Sequence, residues 1–303
     1  MSESDIALVT VTHDSREELE RFLASVRRHL PGAAVVVVDS GSGDGSADAA
    51  RAHAGVRVLE LGENVGFGRA TNAGLAEVAE PVSVLLNPDV ELLDGSLAAL
   101  AAELLRPGAP ERLLGPQVLR TDGTLEDSAQ LGPTSGAAAL GALVPPAALP
   151  GRLRERVEPW RASVPRRVDW LVGCCLAART DTLRRLGPFD EGIFLYAEDL
   201  ELGLRAARVG VHSWFWPAAR VRHHGQHATH AMWGGEPFEL KARQRRAVVH
   251  ARLGPGRGRL DDALQLATFA GRWAIKRLLR RPAQRERRQL EALRAVRGED
   301  PSR

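Results

Sequence analysis

Cysteine is nearly absent: the 303 residues hold two, adjacent at Cys174 and Cys175. Neighbours in sequence make neither a disulfide framework nor a Cys-x-x-Cys metal site, so reduced thiols and a cytoplasmic setting are expected. No secretory leader is expected either, because MSESDIALVTVTHD carries acids where a basic stretch belongs and its apolar run, Ile6 to Val11, is too short. No uncharged stretch approaches the roughly 18 residues of a membrane span. The best candidate, Ala263 to Ile275, is broken by Arg272. Membrane contact is therefore expected to be peripheral, at the inner face of the plasma membrane.

Lysine is scarce too: 39 of the 41 basic residues are arginine, so the pI is near 9.3 although the net charge is only +3. The charge is uneven. Arg272 to Arg297 holds ten Arg/Lys against two Glu, a local +8, and 298–303 carries −1, which leaves −4 for residues 1–271. A basic tail on a mildly acidic body fits contact with anionic lipid or another polyanion, or else a solvated helix face. With 44% hydrophobic and 26% charged residues the composition is globular, which argues against disorder, collagen or a simple coiled coil. The length suits two domains, or one large α/β domain with an appendage.

Along the chain, Ile6–Thr12 is a β-branched apolar run, followed by Ser15-Arg-Glu-Glu18 as a capping box and Leu19, Phe22, Leu23, Val26 and Leu30 at helical spacing. The alternation repeats, with strands expected at Ala34–Val38, Val56–Leu61 and Val82–Leu86, and helices opening after Asp39–Ser46 and over Gly68–Val78. Alternating β and α predicts a parallel, right-handed α/β sheet. Beyond about residue 110 the pattern loosens, and the Ala-, Gly- and Pro-rich stretch Gly132–Pro165 reads as a flexible excursion or lid. Order resumes with a strand over Val168–Ala178, helices near Thr180–Leu186 and Asp199–Val209, and a strand holding Trp214 and Trp216. A helical remainder runs from about Glu236, ending in a helix near Gln284–Val296.

In open parallel sheets ligands bind beyond the carboxyl ends of the strands. Thr12-His13-Asp14, Asp39-Ser40-Gly41-Ser42 and Asn87-Pro88-Asp89 stand at three such ends. Asp14 and Asp39 could equally be helix caps, whereas Asn-Pro-Asp breaks the chain at once and presents a carboxylate at the sheet edge. Gly41-Ser-Gly-Asp-Gly-Ser46 follows the second strand rather than the first, so it reads as a turn feeding a helix and not as a dinucleotide fingerprint. Glu63-Asn-Val-Gly66-Phe-Gly68 through Asn72-Ala-Gly74 has the small residues that would let a helix N-terminus approach a ribose or phosphate.

These four motifs, in this order, resemble the family 2 inverting glycosyltransferases, especially the bacterial rhamnosyltransferase-like branch, over roughly residues 5–230. The second half continues the likeness. Asp169-Trp170-Leu-Val-Gly173-Cys-Cys looks like the strand lining the sugar and acceptor pocket, Phe194-Leu-Tyr196-Ala-Glu198-Asp199 like the catalytic segment, and Val221-Arg-His223-His224-Gly225 like the late histidine motif. The resemblance implies a GT-A-like α/β fold with a mainly parallel central sheet. It divides the chain into a catalytic domain 1–235, with a nucleotide-binding half of about 5–110 and an acceptor half of about 111–235, and a helical basic appendage 236–303. Three departures stand out: His13-Asp14 where Tyr-Asn is commoner, Ser40 for Asn, and Asn87 for the first acid of the metal motif.

By the same resemblance Asp199 is the general base, and Thr12, His13, Asp39, Asn64, Gly66 and Asn87 attend the nucleotide. Asp89 and His223, with His224 or His227 as alternatives to the latter, hold Mg²⁺ or Mn²⁺. Trp170, Gly173 and Glu198 face the sugar or acceptor. The chemistry agrees, since a divalent cation on diphosphate oxygens neutralises the leaving group and a carboxylate opposite takes the acceptor proton. The expected activity moves a sugar from a nucleoside diphosphate, with dTDP-rhamnose as the first choice, to a glycan or lipid-linked acceptor of the cell envelope. UDP-galactofuranose or another UDP-sugar is the next choice of donor. No nucleic-acid partner is expected. The rivals are a catalytically silent nucleotide-sugar-binding protein, which would have lost Asp89 or Asp199, and a nicotinamide-dependent dehydrogenase, for which no fingerprint follows Ile6–Thr12.

Overall fold

The computed structural model describes residues 2–225 and 235–299. Its main sheet has nine strands in the order β3-β2-β1-β4-β10-β6-β11-β5, with β8 pairing β11 off this path. Strands β1 (Ile6–Thr12), β2 (Ala34–Asp39), β3 (Val56–Glu60) and β4 (Val82–Leu86) run parallel, as the alternating pattern requires. The continuous apolar runs of β1, β2 and β4 reflect burial on both faces, whereas β3 at the edge carries Arg57 and Glu60. Leu19, Phe22, Leu23 and Val26 of α1 (Arg16–His29) cover one face. Ala70 and Leu75 of α3 (Phe67–Ala76) cover the other.

The sheet turns mixed where β10 (Cys175–Arg179) enters antiparallel to β4. Parallel pairing returns between β6 (Arg112–Leu119) and β11 (His212–His223), and β5 (Val90–Leu92) closes the edge antiparallel to β11. The expected strand over Val168–Ala178 is three short ones, β8 (Arg166–Val168), β9 (Trp170–Leu171) and β10, with β9 pairing β7 (Ala129–Gln130) outside the main sheet. Where the period fades, after 110, lies β6, and just before that point α4 (Leu97–Leu105).

Two local expectations change. Ser15 caps α1 without a side-chain bond to the helix, because its hydroxyl pairs with Thr12 Oγ1 at 2.9 Å. The amide of Arg16 is met instead by Asp44 Oδ2 at 2.9 Å, while Asp44 Oδ1 takes the amide and hydroxyl of Ser46 at the start of α2 (Ser46–Arg51). One carboxylate thus serves two helix N-termini. The stretch 132–165 is not an irregular lid, since it holds α5 (Gly136–Leu143) and α6 (Gly151–Val157) joined by short 3₁₀ turns. No residue of α5 is fully buried, so this helix shows no apolar–polar period to read.

The C-terminal helices pack on the body. Helix α9 (Phe238–Leu278) is broken at Gly254, φ 82°, just before Pro255. Its two halves fold back on each other through Arg245–Asp261 at 2.8 Å, Arg246–Asp262 at 3.1 Å and His250–Asp262 at 3.1 Å. Val248 and Val249 share a cluster with Ile193 and with Leu200 of α8 (Glu198–Arg208). Helix α10 (Gln284–Val296) adds Leu293 and Val296 to Ala242. Among the described residues no helix is long and apolar enough to cross a membrane.

Candidate active site

The sheet register brings distant motifs to one edge. Thr12 lies opposite Asp39, so β1 and β2 end together and present His13 and Ser40, where His13 Nδ1 meets the Ser40 carbonyl at 2.9 Å. Next to them β4 ends in Asn87-Pro88-Asp89. Because β10 runs antiparallel to β4, with Cys175 opposite Leu86, Gly173 and Cys174 enter the same edge, and the Asn87 amide donates to the Cys174 carbonyl at 3.1 Å. On the far side His223 of β11 pairs with Val90 of β5, next to Asp89. Helix α8 supplies Glu198 and Asp199 from above. The resulting cleft, of about 1090 Å³, is lined by His13, Asn87, Asp89, Glu198, Asp199 and His223, with Asn64, Gly66, Trp170 and Gly173 also on its walls.

Asp199 is held from two sides, its Oδ2 accepting the Gly173 amide at 2.9 Å and its Oδ1 the Leu200 amide at 2.7 Å. Burial raises its pKa to about 6 against these two bonds. Glu198 is pushed up as well, by burial first and then by the Asp199 charge, and its Oε2 is buried without a partner. The chain reaches this pair through Tyr196 (φ 68°) and Ala197 (φ 67°), left-handed conformations that side chains with a Cβ adopt only at a cost.

His223 sits between carboxylates, Nε2 3.2 Å from Asp89 Oδ1 and Nδ1 3.0 Å from Glu126 Oε1. Burial opposes a charged ring, yet the hydrogen bonds and charges of Asp89 and Glu126 outweigh it and push His223 up to about 10. Glu126 carries no motif and stands in the stretch where the sequence pattern is loose; a carboxylate able to orient a histidine was not legible there. His224 is engaged elsewhere, with Nε2 2.9 Å from Glu91 Oε2, and His227 lies outside the described residues.

A divalent cation can be tested against these donors. Asp89 Oδ1 is shut off from solvent, with His223 Nε2 as its neighbour at 3.2 Å. Two ligands about 2.1 Å from an octahedral ion stand about 3 Å apart, close to the Asp89–His223 spacing of 3.2 Å. Glu126 on Nδ1 would fix the ring, as carboxylates behind metal-bound histidines do. The donors fit an ion that takes its other ligands from diphosphate and water. Among the described residues no three His, Cys, Asp or Glu side chains form a ready-made cage.

Other candidates are placed differently. The Thr12 hydroxyl is spent on Ser15. Asp39 is buried, with Oδ1 accepting the Ser42 amide at 3.0 Å and Oδ2 unpartnered. Asp14 takes the Gly43 amide at 2.7 Å, tying two loops together. Gly66 does admit a close approach, but of the chain's own backbone: at φ 85°, a Cβ there would lie 2.4 Å from the Phe194 carbonyl oxygen. Asn64 Oδ1 accepts the Gly66 amide at 3.1 Å and shapes that turn. Asn72 clasps Phe189 through its amide and carbonyl at 3.1 and 2.9 Å, and Gly74 lets α3 sit against Val9 and Val38. The small residues of this motif thus let the chain pack closely, Gly66 against Phe194 and Gly74 against the sheet, while Asn64 and Gly66 also line the cleft. Trp170 donates to the Leu131 carbonyl at 3.2 Å, leaving its ring on the cleft wall. Both thiols are buried, and burial pushes Cys175 up to about 12.

One wall of the cleft comes from the C-terminal helices, with Lys241, Arg245 and Arg272 of α9 and Arg285 of α10 on it. Their part in the cleft has no sequence signal, since Arg is dense throughout the tail.

Comparison with known proteins agrees with this construction. The family described as Glycosyl transferase family 2 matches residues 7–110. An N-acetylglucosaminyl-diphospho-decaprenol L-rhamnosyltransferase of Mycobacterium tuberculosis is 34% identical over 246 residues, 74% of this chain and 77% of that one. Among solved structures, the mannosyltransferase PcManGT of Pyrobaculum calidifontis, in complex with GDP-Man and Mn²⁺, superposes with a TM-score of 0.61 at 16% identity, over 97% of this chain and 86% of that one. GalNAc-T7 with UDP, GalNAc and Mn²⁺ does so at 0.55 and 18% identity over 82% of this chain, which spans half of that longer protein. At such identities the two structures speak for the GT-A fold alone. With the motifs, the sheet and the rhamnosyltransferase relative in agreement, the chain belongs to glycosyltransferase family 2, in its rhamnosyltransferase-like branch.

Proposed function

We propose that this glycosyltransferase moves L-rhamnose from dTDP-rhamnose to a hydroxyl of a lipid-linked cell-envelope glycan, with inversion at the anomeric carbon. The observation that carries the reading is Asp199, a buried carboxylate fixed by two backbone amides in the same cleft as the Asp89–His223 pair. Asp199 accepts the proton of the attacking hydroxyl, and its raised pKa makes it a better base while leaving it ionised at neutral pH. His13, Ser40 and Asn64 on the cleft wall hold the nucleotide, with Asp39 bracing their loop through the Ser42 amide, Asn87 and Asp89 stand at its diphosphate, and Trp170 offers a flat face to a sugar ring. Glu198, with an unspent oxygen and a raised pKa, donates a hydrogen bond to a sugar oxygen. Mg²⁺ or Mn²⁺ held by Asp89 and His223 would supply charge neutralisation at the leaving diphosphate.

In this reading residues 1–235 form the catalytic domain, and the helices from 236 onward complete its acceptor side. The enzyme works at the inner face of the plasma membrane, touching it at the α9–α10 turn. There Leu278 and Leu279 are 83% and 56% exposed beside Arg277, Arg280 and Arg281. A nucleotide-release assay offering dTDP-rhamnose, UDP-galactofuranose and other UDP-sugars, with an N-acetylglucosaminyl-diphospho-polyprenol acceptor, tests it. Release dependent on both dTDP-rhamnose and acceptor is expected; turnover with a UDP-sugar alone would reassign the donor.

A further inference from the structure

Four cations of the C-terminal helices line the cleft, and three are matched locally. Arg285 is forked onto Glu236 at 2.9 and 3.0 Å, Lys241 shares that carboxylate at 3.0 Å, and Arg245 is forked onto the buried Asp261 at 3.0 and 2.8 Å. Arg272 lies over the Phe269 ring at 5.5 Å, and among the described residues no ion pair claims it. Four positive charges against Glu236 and Asp261 leave +2 on this wall. Lys276 and Glu286, 2.6 Å apart, pin α9 to α10, so Arg272 lies one turn before that link and Arg285 beside it. Their levels differ by about 7 Å of helix rise, within reach of two long side chains on one diphosphate.

The same wall is apolar beside the charge. Ala138 and Ala142 of α5, with Leu264 and Phe269 of α9, line the cleft next to Arg272. Helix α5 carries no charged residue, and Leu143 at its end is 75% exposed. Further along α9, Ile275 and Leu278 are exposed as well. A site for a free anion has no use for uncovered hydrocarbon, whereas an anion with a hydrocarbon chain needs both. We propose that Arg272 and Arg285 bind the diphosphate of a polyprenyl-linked acceptor, with the first isoprene units lying against α5 and the Leu264–Phe269 face of α9. Two net positive charges match the two negative charges of a diphosphate diester. Asp89 stands at the end of β4 and the two arginines on the C-terminal helices, so the proposal puts donor and acceptor diphosphates on different walls of one cleft.

This deepens the reading of a lipid-linked acceptor and rests on it, but its test needs no turnover. The full chain is titrated with farnesyl diphosphate by calorimetry in excess dTDP and UDP, which fill the donor end. Binding is expected to persist, to weaken at least tenfold in Arg272→Ala and further in R272A/R285Q, and to be at least tenfold weaker for inorganic diphosphate. Unchanged dTDP affinity in both variants shows that they fold. Displacement by the nucleotides would place the ligand at the donor end and overturn the site, as would equal binding by the variants. Inorganic diphosphate binding as tightly as farnesyl diphosphate would overturn the hydrocarbon half. A chain that binds farnesyl diphosphate as described yet transfers no rhamnose keeps this site and loses only the sugar assignment.

Discussion

Replacing Asp199 by Asn keeps the shape of the side chain and removes its capacity to take a proton. A positioned base is worth about 10²–10⁴ in rate, or roughly 3–5 kcal/mol of barrier at 1.36 kcal/mol per decade. Two structural terms decide whether the fold survives. The amide offers one acceptor where the carboxylate met the amides of Gly173 and Leu200, so one N–H is left facing an NH₂ group, at about 1–3 kcal/mol. Against this, the carboxylate itself is costly, since a pKa moved from 3.8 to about 6 by burial corresponds to roughly 3 kcal/mol. The sign follows from linkage: an acid with a raised folded pKa is favoured below its unfolded value, and that advantage is gone once the pH passes about 6. At pH 8 the two terms nearly cancel. D199N is therefore expected to melt within a few degrees of the parent and to bind nucleoside diphosphate normally. In stopped-time transfer assays its kcat should fall by 10²–10⁴. The parent kcat should rise with pH through about 6 and decline again as Glu198 loses its proton near 8, and the acid limb should vanish in the variant. A variant turning over within threefold of the parent, or one keeping the acid limb, would refute the assignment.

Chelation by EDTA should abolish transfer, and Asp89→Ala should weaken nucleoside diphosphate binding in Mg²⁺ or Mn²⁺ buffer but not in EDTA, measured by calorimetry. Gly66→Ala, forced to φ 85° and against the Phe194 carbonyl, should lose about 2 kcal/mol or more in urea unfolding. Asp44→Ala removes a carboxylate shared by two helix starts and should cost about 1–3 kcal/mol by the same measurement, with kcat little changed. The chain should pellet with anionic vesicles at low salt and be released as salt rises. Substituting Ser for Leu278 and Leu279 should weaken that pelleting, and equal recovery with neutral vesicles would remove the membrane contact.

The parallel half of the fold was legible because doubly covered strands and amphipathic helices write periodicity into the chain. Val82–Leu86 and Gln284–Val296 have the bounds that their residues imply. The middle was not, for a physical reason visible in α5. A helix of Gly, Ala and Leu with one side on the C-terminal helices and another on the cleft has no polar face, so nothing distinguishes it from a linker.

The site divides in the same way. Residues that end a strand announce themselves, and His13, Asn87 and Asp89 do line one cleft. Residues that act by holding another side chain have no such mark: Glu126 becomes meaningful only once the β11–β5 pairing sets His223 beside Asp89. The motif glycines carry the opposite lesson. At Gly66 and Gly74 a carbonyl and two valines press on the space a Cβ would take. The sequence marked these positions as small, but the partner at Gly66 is fixed by Phe194, more than a hundred positions away. In such a cleft the chain's own loops compete with the ligand for every small residue, and only the tertiary register decides which of them wins.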